Sequence, residues 1–410
     1  MSPALLYVTA DGLLEPLGFS QVLRVVEGLA RKGWRYRVLS LEKPNDLKRE
    51  DTVRAVRRRL EAAGVVWLPQ PYDWSGSARA AITNLQTLIS TTLTEVKRGR
   101  VDAIHARAYH GAFAAQTAWL SYRTPYLFDT RSYWFDERLE EGRWFTTPIR
   151  TGIARGFEHQ FFSRAAAVVS LTELQADDVR SGKLGPVGQR PIVCIPTCAD
   201  YDDFVRRPSA QCLRVPEAVR KTLEGKLVIG IVGSLNRSYL VDETIALARR
   251  VHSLRPEAHL LVLTGQVEAY RQRLVELGVD LSRTTVTKAD HNAMPEWLSL
   301  MHWGMLLLES QSPAKRASMP TKLGEFFAVG VRPVQFGCNS EVAQWVTRAG
   351  TGLVLSGVSE GELDQAAEQI ATSQLSAEAL ERGRQVTAPH FSLSAGIERY
   401  DQVLRGAFGP

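Results

Sequence analysis

Leu5 to Thr9 is a short apolar run with no helical period, followed by a loop that contains glycine, Asp11 to Gly18. Beyond it, Ser20 to Arg31 places Val22, Val25, Val26 and Leu29 on one helical face, so the pattern predicts strand, loop and helix. The alternation continues with predicted strands at Tyr36–Leu41, Val65–Leu68, Ala103–His105, Tyr126–Phe128, Ala167–Leu171 and Pro191–Ile195. Helical stretches at Ala80–Lys97, Gly111–Ser121 and Arg150–Phe162 lie between them. Strands that alternate with helices form a parallel sheet covered on both faces. The pattern restarts at Leu227–Val232, an apolar run ended by Gly233. Further strands are predicted at Leu260–Thr264, Thr284–Thr287, Met305–Leu308 and Pro333–Phe336, with helices at Val241–Ser253, Met294–Met301, Lys322–Val329, Gly361–Ser373 and Ala377–Gln385. Between the two series, Tyr201–Pro216 is polar and carries Pro208 and Pro216, the composition of a linker. The expectation is two doubly wound α/β domains, 1–205 and 206–390, with a C-terminal helix at about 391–410 returning to the first. Ligands in such sheets bind beyond the carboxyl ends of the strands, so two sites facing a cleft are expected.

Length and composition agree. A chain of 410 residues suits two domains, and 44% hydrophobic with 23% charged residues excludes global disorder. No apolar run reaches the ~18 to 20 residues of a membrane span, and the start MSPALLYVTADG lacks the features of a signal peptide, which predicts a soluble cytoplasmic protein. Cys194, Cys198, Cys212 and Cys338 are too few for a disulfide framework, and Cys194 lies in an apolar run that suits a buried thiol, so no zinc is expected. The net charge is +6, and the basic residues thicken in one short stretch that holds Lys48, Arg49, Arg54, Arg57, Arg58 and Arg59. Nucleic acid would call for interleaved aromatics, which this stretch lacks. It reads either as a solvated helix face or as a contact to the anionic inner face of the plasma membrane.

Ser312 to Pro333 passes from a basic, proline-punctuated loop into an amphipathic helix. Free amides and the positive end of the helix dipole attract phosphate there, and Lys315, Arg316 and Lys322 add full charges. Glu325, one turn in, is placed to accept hydrogen bonds from a ribose diol. A capped surface helix would show the same residues.

Pro320, Lys322, Glu325, Gly330, Pro333 and Val334 resemble the P-x-K-x-x-E and following Gly-x-Pro-Val of family-4 glycosyltransferases. The resemblance extends over most of the chain: Gly18 and Ser20 after the first strand, VVSLT before Glu173, IPTCAD before Phe204, VIGIVGSL and LVLTGQ. DGLLEPLGFSQV and FDTRSYWFDER are similar to the bacterial surface-polysaccharide branch. The resemblance implies a GT-B fold of two Rossmann-like domains and retaining, metal-independent transfer from a nucleoside-diphosphate sugar to a glycan or polyprenyl-linked acceptor. It assigns the donor site to Gly18, Gly233, Ser234, Arg237, Ser318, Met319, Pro320 and Glu325, and the chemistry to Asp129, Arg131 and Lys322.

Three positions depart from the family pattern. Ala317 stands where many members keep a first glutamate. Ser234 follows Gly233 in place of an arginine, leaving Arg237 as the nearest cation, and Asp129 occupies roughly the place of a histidine that contacts the donor sugar. Around Asp129, the residues Arg131, Asp136, Glu137 and Arg138 flank Tyr133 and Trp134, a combination that suits a sugar platform. His105 and Arg107, at the end of another strand, are candidate acceptor contacts, whereas His110 is read as structural. The loop Asp11–Gly18 lacks the G-x-G-x-x-G of an oxidoreductase. A sugar-nucleotide epimerase and a non-catalytic sugar-nucleotide-binding protein remain as alternatives.

Overall fold

The computed structural model describes residues 3–140, 142, 147–235, 239–309, 312, 315, 317–337 and 340–409. They form two compact units, one of Met1–Pro196 with Leu393–Pro410, the other of Thr197–Ser392.

The first unit runs β1 (Ala4–Thr9), α1 (Arg24–Arg31), β2 (Arg35–Glu42), α2 (Glu50–Ala62), β3 (Val66–Pro71), α3 (Ala78–Lys97), β4 (Ala103–Arg107), α4 (Ala108–Tyr122) and β5 (Tyr126–Asp129). It continues through α5 (Trp134–Glu140), α6 (Pro148–Arg164), β6 (Ala167–Ser170), α7 (Glu173–Arg180) and β7 (Ile192–Cys194). The seven strands are parallel in the order β3-β2-β1-β4-β5-β6-β7, so the winding reverses between β1 and β4. Right-handed crossovers then place the helices of the two halves on opposite faces. A helical turn at Pro16–Gly18 and a π-helical stretch at Phe19–Leu23 lead into α1. The helix predicted from Ser20 therefore starts earlier and is irregular.

The second unit contains α8 (Glu217–Leu223), β8 (Val228–Val232), α9 (Val241–Leu254), β9 (His259–Leu263), α10 (Val267–Glu276), β10 (Thr284–Thr287), α11 (Met294–Ser299) and β11 (Trp303–Met305). It ends with α12 (Thr321–Val329), β12 (Arg332–Phe336), α13 (Glu341–Ala349), β13 (Leu353–Leu355), α14 (Glu360–Thr372) and α15 (Ala377–Phe391). Its six parallel strands run β10-β9-β8-β11-β12-β13 and reverse between β8 and β11. The core is apolar throughout, from Ile229 and Ile231 on β8 to Leu260 and Val262 on β9 and Ile245 and Val251 on α9. Strand glycine serves packing here: a Cβ at Gly304 would lie 2.2 Å from the Phe326 ring, so its absence lets α12 close on β11.

The division falls at Thr197, earlier than the expected 206, because the polar stretch after it is folded rather than free. The Arg206 guanidinium donates to the carbonyls of Val329, Ser299, Met301 and Gly330, which answers the negative C-terminal end of α12. The last helix, α16 (Leu393–Phe408), belongs to the first unit. Ile397 packs over Gly28, where a Cβ would lie 2.1 Å from it, and Asp401 accepts from the Trp34 indole at 2.7 Å. No described helix is long and apolar enough to cross a membrane.

Candidate active site

In the second unit the reversal of strand order lies where β8 ends. Gly233 has φ +127°, and a Cβ there would lie 2.9 Å from Lys322 Nζ, so glycine serves both the turn and the approach of the lysine. Lys322, second residue of α12, donates to the Val232 carbonyl at 2.5 Å and lies 4.1 Å from the centroid of the Tyr239 ring. Val232, Ser234, Tyr239, Met305, Leu307 and Lys322 border a cavity of about 20 Å³, room for about one water. Pro320 is the N-cap of α12 and makes no side-chain cap, so the first amides of the helix keep their capacity for an anion. Before it, the Met319 carbonyl accepts from Thr197 Oγ1 at 3.0 Å and the Ser318 amide donates to Lys315 O at 3.0 Å, which fixes the approach of the loop. Ala317 is buried, so the missing glutamate position faces the interior. Arg237 and Arg316 lie outside the described residues.

Glu325 is 7% exposed and its carboxylate has no hydrogen-bond partner among the described residues. Burial raises its pKa from 4.5 to about 7, with the Lys322 charge opposing the rise. A carboxyl group beside an ammonium, at a helix N-terminus and at the switch point of a parallel sheet, is equipped to receive a diol and a diphosphate together.

In the first unit the equivalent reversal brings β1 and β4 side by side. Asp11, just past β1, accepts from Arg107 Nε at 2.8 Å. Arg107 Nη1 in turn lies 3.6 Å from Asp129 Oδ2. Asp129 also accepts from Tyr400 Oη at 2.8 Å and from Arg131 Nη1 at 3.3 Å, with His105 Nε2 at 3.8 Å. Burial alone would raise the Asp129 pKa, but Arg131, His105 and Arg107 hold it well below the usual carboxylate range. Burial also holds His105 below the usual imidazole value, with Asp129 opposing.

The sequence reading placed Asp129, His105 and Arg107 in contact with substrates. Asp129 and His105 are 0% exposed and Arg107 is 4% exposed, so the three form a floor beneath the site. The reason is electrostatic: a buried charge persists only when paired, and these groups are one another's partners. Arg131 is nearly enclosed with them, its side chain 10% exposed and its Nη1 also donating to the Ile195 carbonyl at 3.1 Å, and it stands in the left-handed region at φ +62°. Ala108, after β4, does the same at φ +55°. Backbone strain of this kind gathers where side chains must be aimed.

The aromatic platform divides in a similar way. Tyr133 is buried and donates to Asp178 Oδ2 at 2.5 Å. Trp134 stays half-buried, stacked on Tyr109 at 5.8 Å between centroids and lying under the Arg138 guanidinium. Its edge meets the His110 ring at 5.5 Å. His110, read from sequence as structural, is half-buried beside Trp134, its pKa lowered chiefly by burial, with no hydrogen bond to its ring among the described residues. Its place directly after a strand end was the available signal. Nothing local announced Tyr400, which arrives from the far end of the chain.

Gly18 keeps the first loop closed: a Cβ there would lie 1.9 Å from Gly12 O. The loop amides of Leu13 and Leu14 donate to the buried carboxylate of Glu42 at 2.7 and 3.1 Å. Much of the basic stretch on α2 is likewise paired. Arg54 bonds Glu50 and Asp51, Arg59 grips Glu27, and Arg57 lies over the Trp67 ring.

Residues 20–198 match the model of the glycosyl transferase 4-like domain. No curated protein sequence matches the chain. Among solved structures, Anabaena HepE in complex with UDP and glucose superposes with a TM-score of 0.70 at 12% identity, covering 98% of this chain and 99% of the other. Sucrose-phosphate synthase from Thermosynechococcus elongatus gives 0.72 at 15% identity, with 99% of each chain covered. A putative UDP-N-acetylglucosamine 2-epimerase from Listeria monocytogenes gives 0.63 at 10% identity, covering 100% of this chain and 99% of the other. At these identities the likeness is one of fold, while the family domain speaks for the activity. Residues 20–198 are thus a glycosyl transferase 4-like domain, and the whole chain shares the GT-B fold of these glycosyltransferases.

Proposed function

We propose that the protein transfers a sugar, with retained anomeric configuration and without a metal, from a nucleoside-diphosphate sugar to a glycan or polyprenyl-linked acceptor of bacterial surface polysaccharide. The observation that carries the donor half is the grouping of Gly233, Lys322 and Glu325 at the switch point of the second unit. The diphosphate takes the amides at the start of α12, and Lys322 exchanges the Val232 carbonyl for phosphate oxygens. Glu325 accepts the ribose hydroxyls. Positive charge fixed beside the departing diphosphate stabilises it in the transition state, the task that a metal performs elsewhere. Asp129 is enclosed, so it serves to orient Arg131 and is not the nucleophile of a double displacement. The first unit offers the half-buried Trp134 and His110 to sugar, with the nearly enclosed Arg131 beneath them. The complex of HepE with UDP and glucose supports a nucleotide sugar as partner. Lys48, Arg57 and Arg58, the cations of the basic stretch without a carboxylate partner among the described residues, support a peripheral place on an anionic membrane.

A panel of nucleoside-diphosphate sugars tests the reading by thermal shift. A donor at 100 times its Kd stabilises by about 2.7 kcal/mol, and Lys322→Ala should weaken that donor by about 10- to 100-fold. If no nucleotide sugar shifts the protein, or Lys322→Ala binds as the parent does, the donor assignment is wrong. The likeness to an epimerase supplies a second reading, which predicts conversion of the sugar nucleotide with no acceptor present.

A further inference from the structure

A groove of about 890 Å³ lies on the first unit, at the carboxyl end of the edge strand β3, and the donor and acceptor residues described above leave it unused. Its walls are aromatic and polar, with Asp73 the one charged residue among them: Trp74 and Tyr72 on the loop after β3, Gln70 before them, and Thr83 and Thr87 on α3. Trp74 is 61% exposed, an apolar area unusual for a side chain of that size without a partner.

The rim is rigid. Asn84 is buried and bonds the loop twice, accepting from the Asp73 amide at 3.0 Å and donating to the Asp73 carbonyl at 2.7 Å. Asp73 Oδ1 accepts from the Ser75 amide at 3.0 Å, and Ser77 caps α3. The backbone that carries Trp74 is therefore held in place before any ligand arrives, which limits the ordering cost of binding.

We infer that this groove binds an uncharged glycan chain, the growing polysaccharide on the acceptor side, with its sugar faces stacked on Trp74 and Tyr72 and its hydroxyls on the amide and hydroxyl groups around them. This rests on the glycosyl-transfer reading and names its acceptor. Three observations select a sugar over other occupants. A peptide strand added to β3 would need donors on the free edge. Tyr72 N–H points inward to Glu42 O at 2.8 Å, so the alternate positions Pro69 and Pro71 face outward and present none. An anionic surface is opposed by Asp73, the charged residue at the rim, because the nearby Lys43 ammonium is paired with Glu15 at 3.0 Å. CH faces with hydroxyl edges match rings flanked by amides.

The groove also lies at the same end of the sheet as the site, the carboxyl ends of the parallel strands. Lys43 lies 6.0 Å from the Trp74 ring centroid and holds Glu15 on the loop after β1, two strands and about 10 Å along the sheet. A chain stacked on Trp74 can thus run along the strand ends toward Asp11 and Arg107.

The test is saturation-transfer NMR and titration of the full-length protein with cellohexaose, maltohexaose and laminarihexaose. At least one hexasaccharide should bind, and Trp74→Ala should weaken it tenfold or more, while thermal shift by a nucleotide sugar is unchanged. Trp74 is exposed, so its loss leaves folding intact; Tyr72→Ala is the second variant and should act in the same direction. Failure of all three sugars to bind, or binding indifferent to Trp74, overturns the inference, as does a Trp74-dependent response to a proline-rich peptide or to anionic vesicles instead. Loss of the nucleotide-sugar shift in the parent with glycan binding intact would overturn the donor reading alone.

Discussion

Glu325→Gln should make the unliganded protein more stable at neutral pH and deprive it of donor binding. The carboxyl is buried without a hydrogen bond among the described residues, and its pKa rises from 4.5 to about 7. Below pH 4.5 it is neutral in both the folded and the unfolded chain. Between pH 4.5 and 7 the unfolded chain ionises while the folded one does not, so folding stability falls as pH rises through that window. The loss corresponds to about 3 kcal/mol by pH 8. Glutamine keeps the shape and never ionises, so it should recover about that amount at pH 8 and nothing at pH 4.5. For a unit of the size of Thr197–Ser392, this is a rise in Tm of about 6 to 12 °C. Differential scanning calorimetry of parent and variant at both pH values is the assay. An equal shift at the two pH values, or a variant less stable at pH 8, would refute the argument that Glu325 is held unpaired for a ligand. The same titration gives donor affinity a pH dependence. A ribose diol binds the ionised carboxylate, so affinity in the parent should rise about tenfold from pH 6 to 8 and level off above.

Tyr400→Phe removes one donor to the buried Asp129 carboxylate, and should cost about 2 kcal/mol in denaturant unfolding; a change under a few tenths would mean that the network does not depend on α16. Turnover should survive EDTA, since Lys322 and the start of α12 supply the positive charge; loss with rescue by Mg²⁺ or Mn²⁺ would overturn metal-independent transfer. Co-sedimentation with anionic vesicles should fall with salt and drop several-fold in Arg57→Ala with Arg58→Ala, while Arg59→Ala, which removes a residue already paired with Glu27, should change it little. Equal binding of anionic and neutral vesicles would make the stretch an ordinary solvated face.

The sequence by itself determined the class of fold and half of the site. Parallel strands buried on both faces read as apolar runs, and the helices between them carry a period set by local geometry, so both units were legible without any contact between distant residues. Gly233, Lys322 and Glu325 were legible for the same reason: a turn, a helix start and a first-turn carboxylate are local features. Tertiary structure alone decided which charges are free. Asp129, His105 and Arg107 looked like surface chemistry at strand ends, and became a buried floor because Tyr400 and Asp11 complete their pairing from distant segments. Arg59 turned to pair with Glu27, and Arg206 left the supposed linker to cap α12. Whether Trp74 stays open to solvent depends on the lock between Asn84 and the Asp73 backbone. Pairing of charges and closure of loops depend on distances between residues far apart in the chain, and a pattern of neighbours along the sequence carries no such distance.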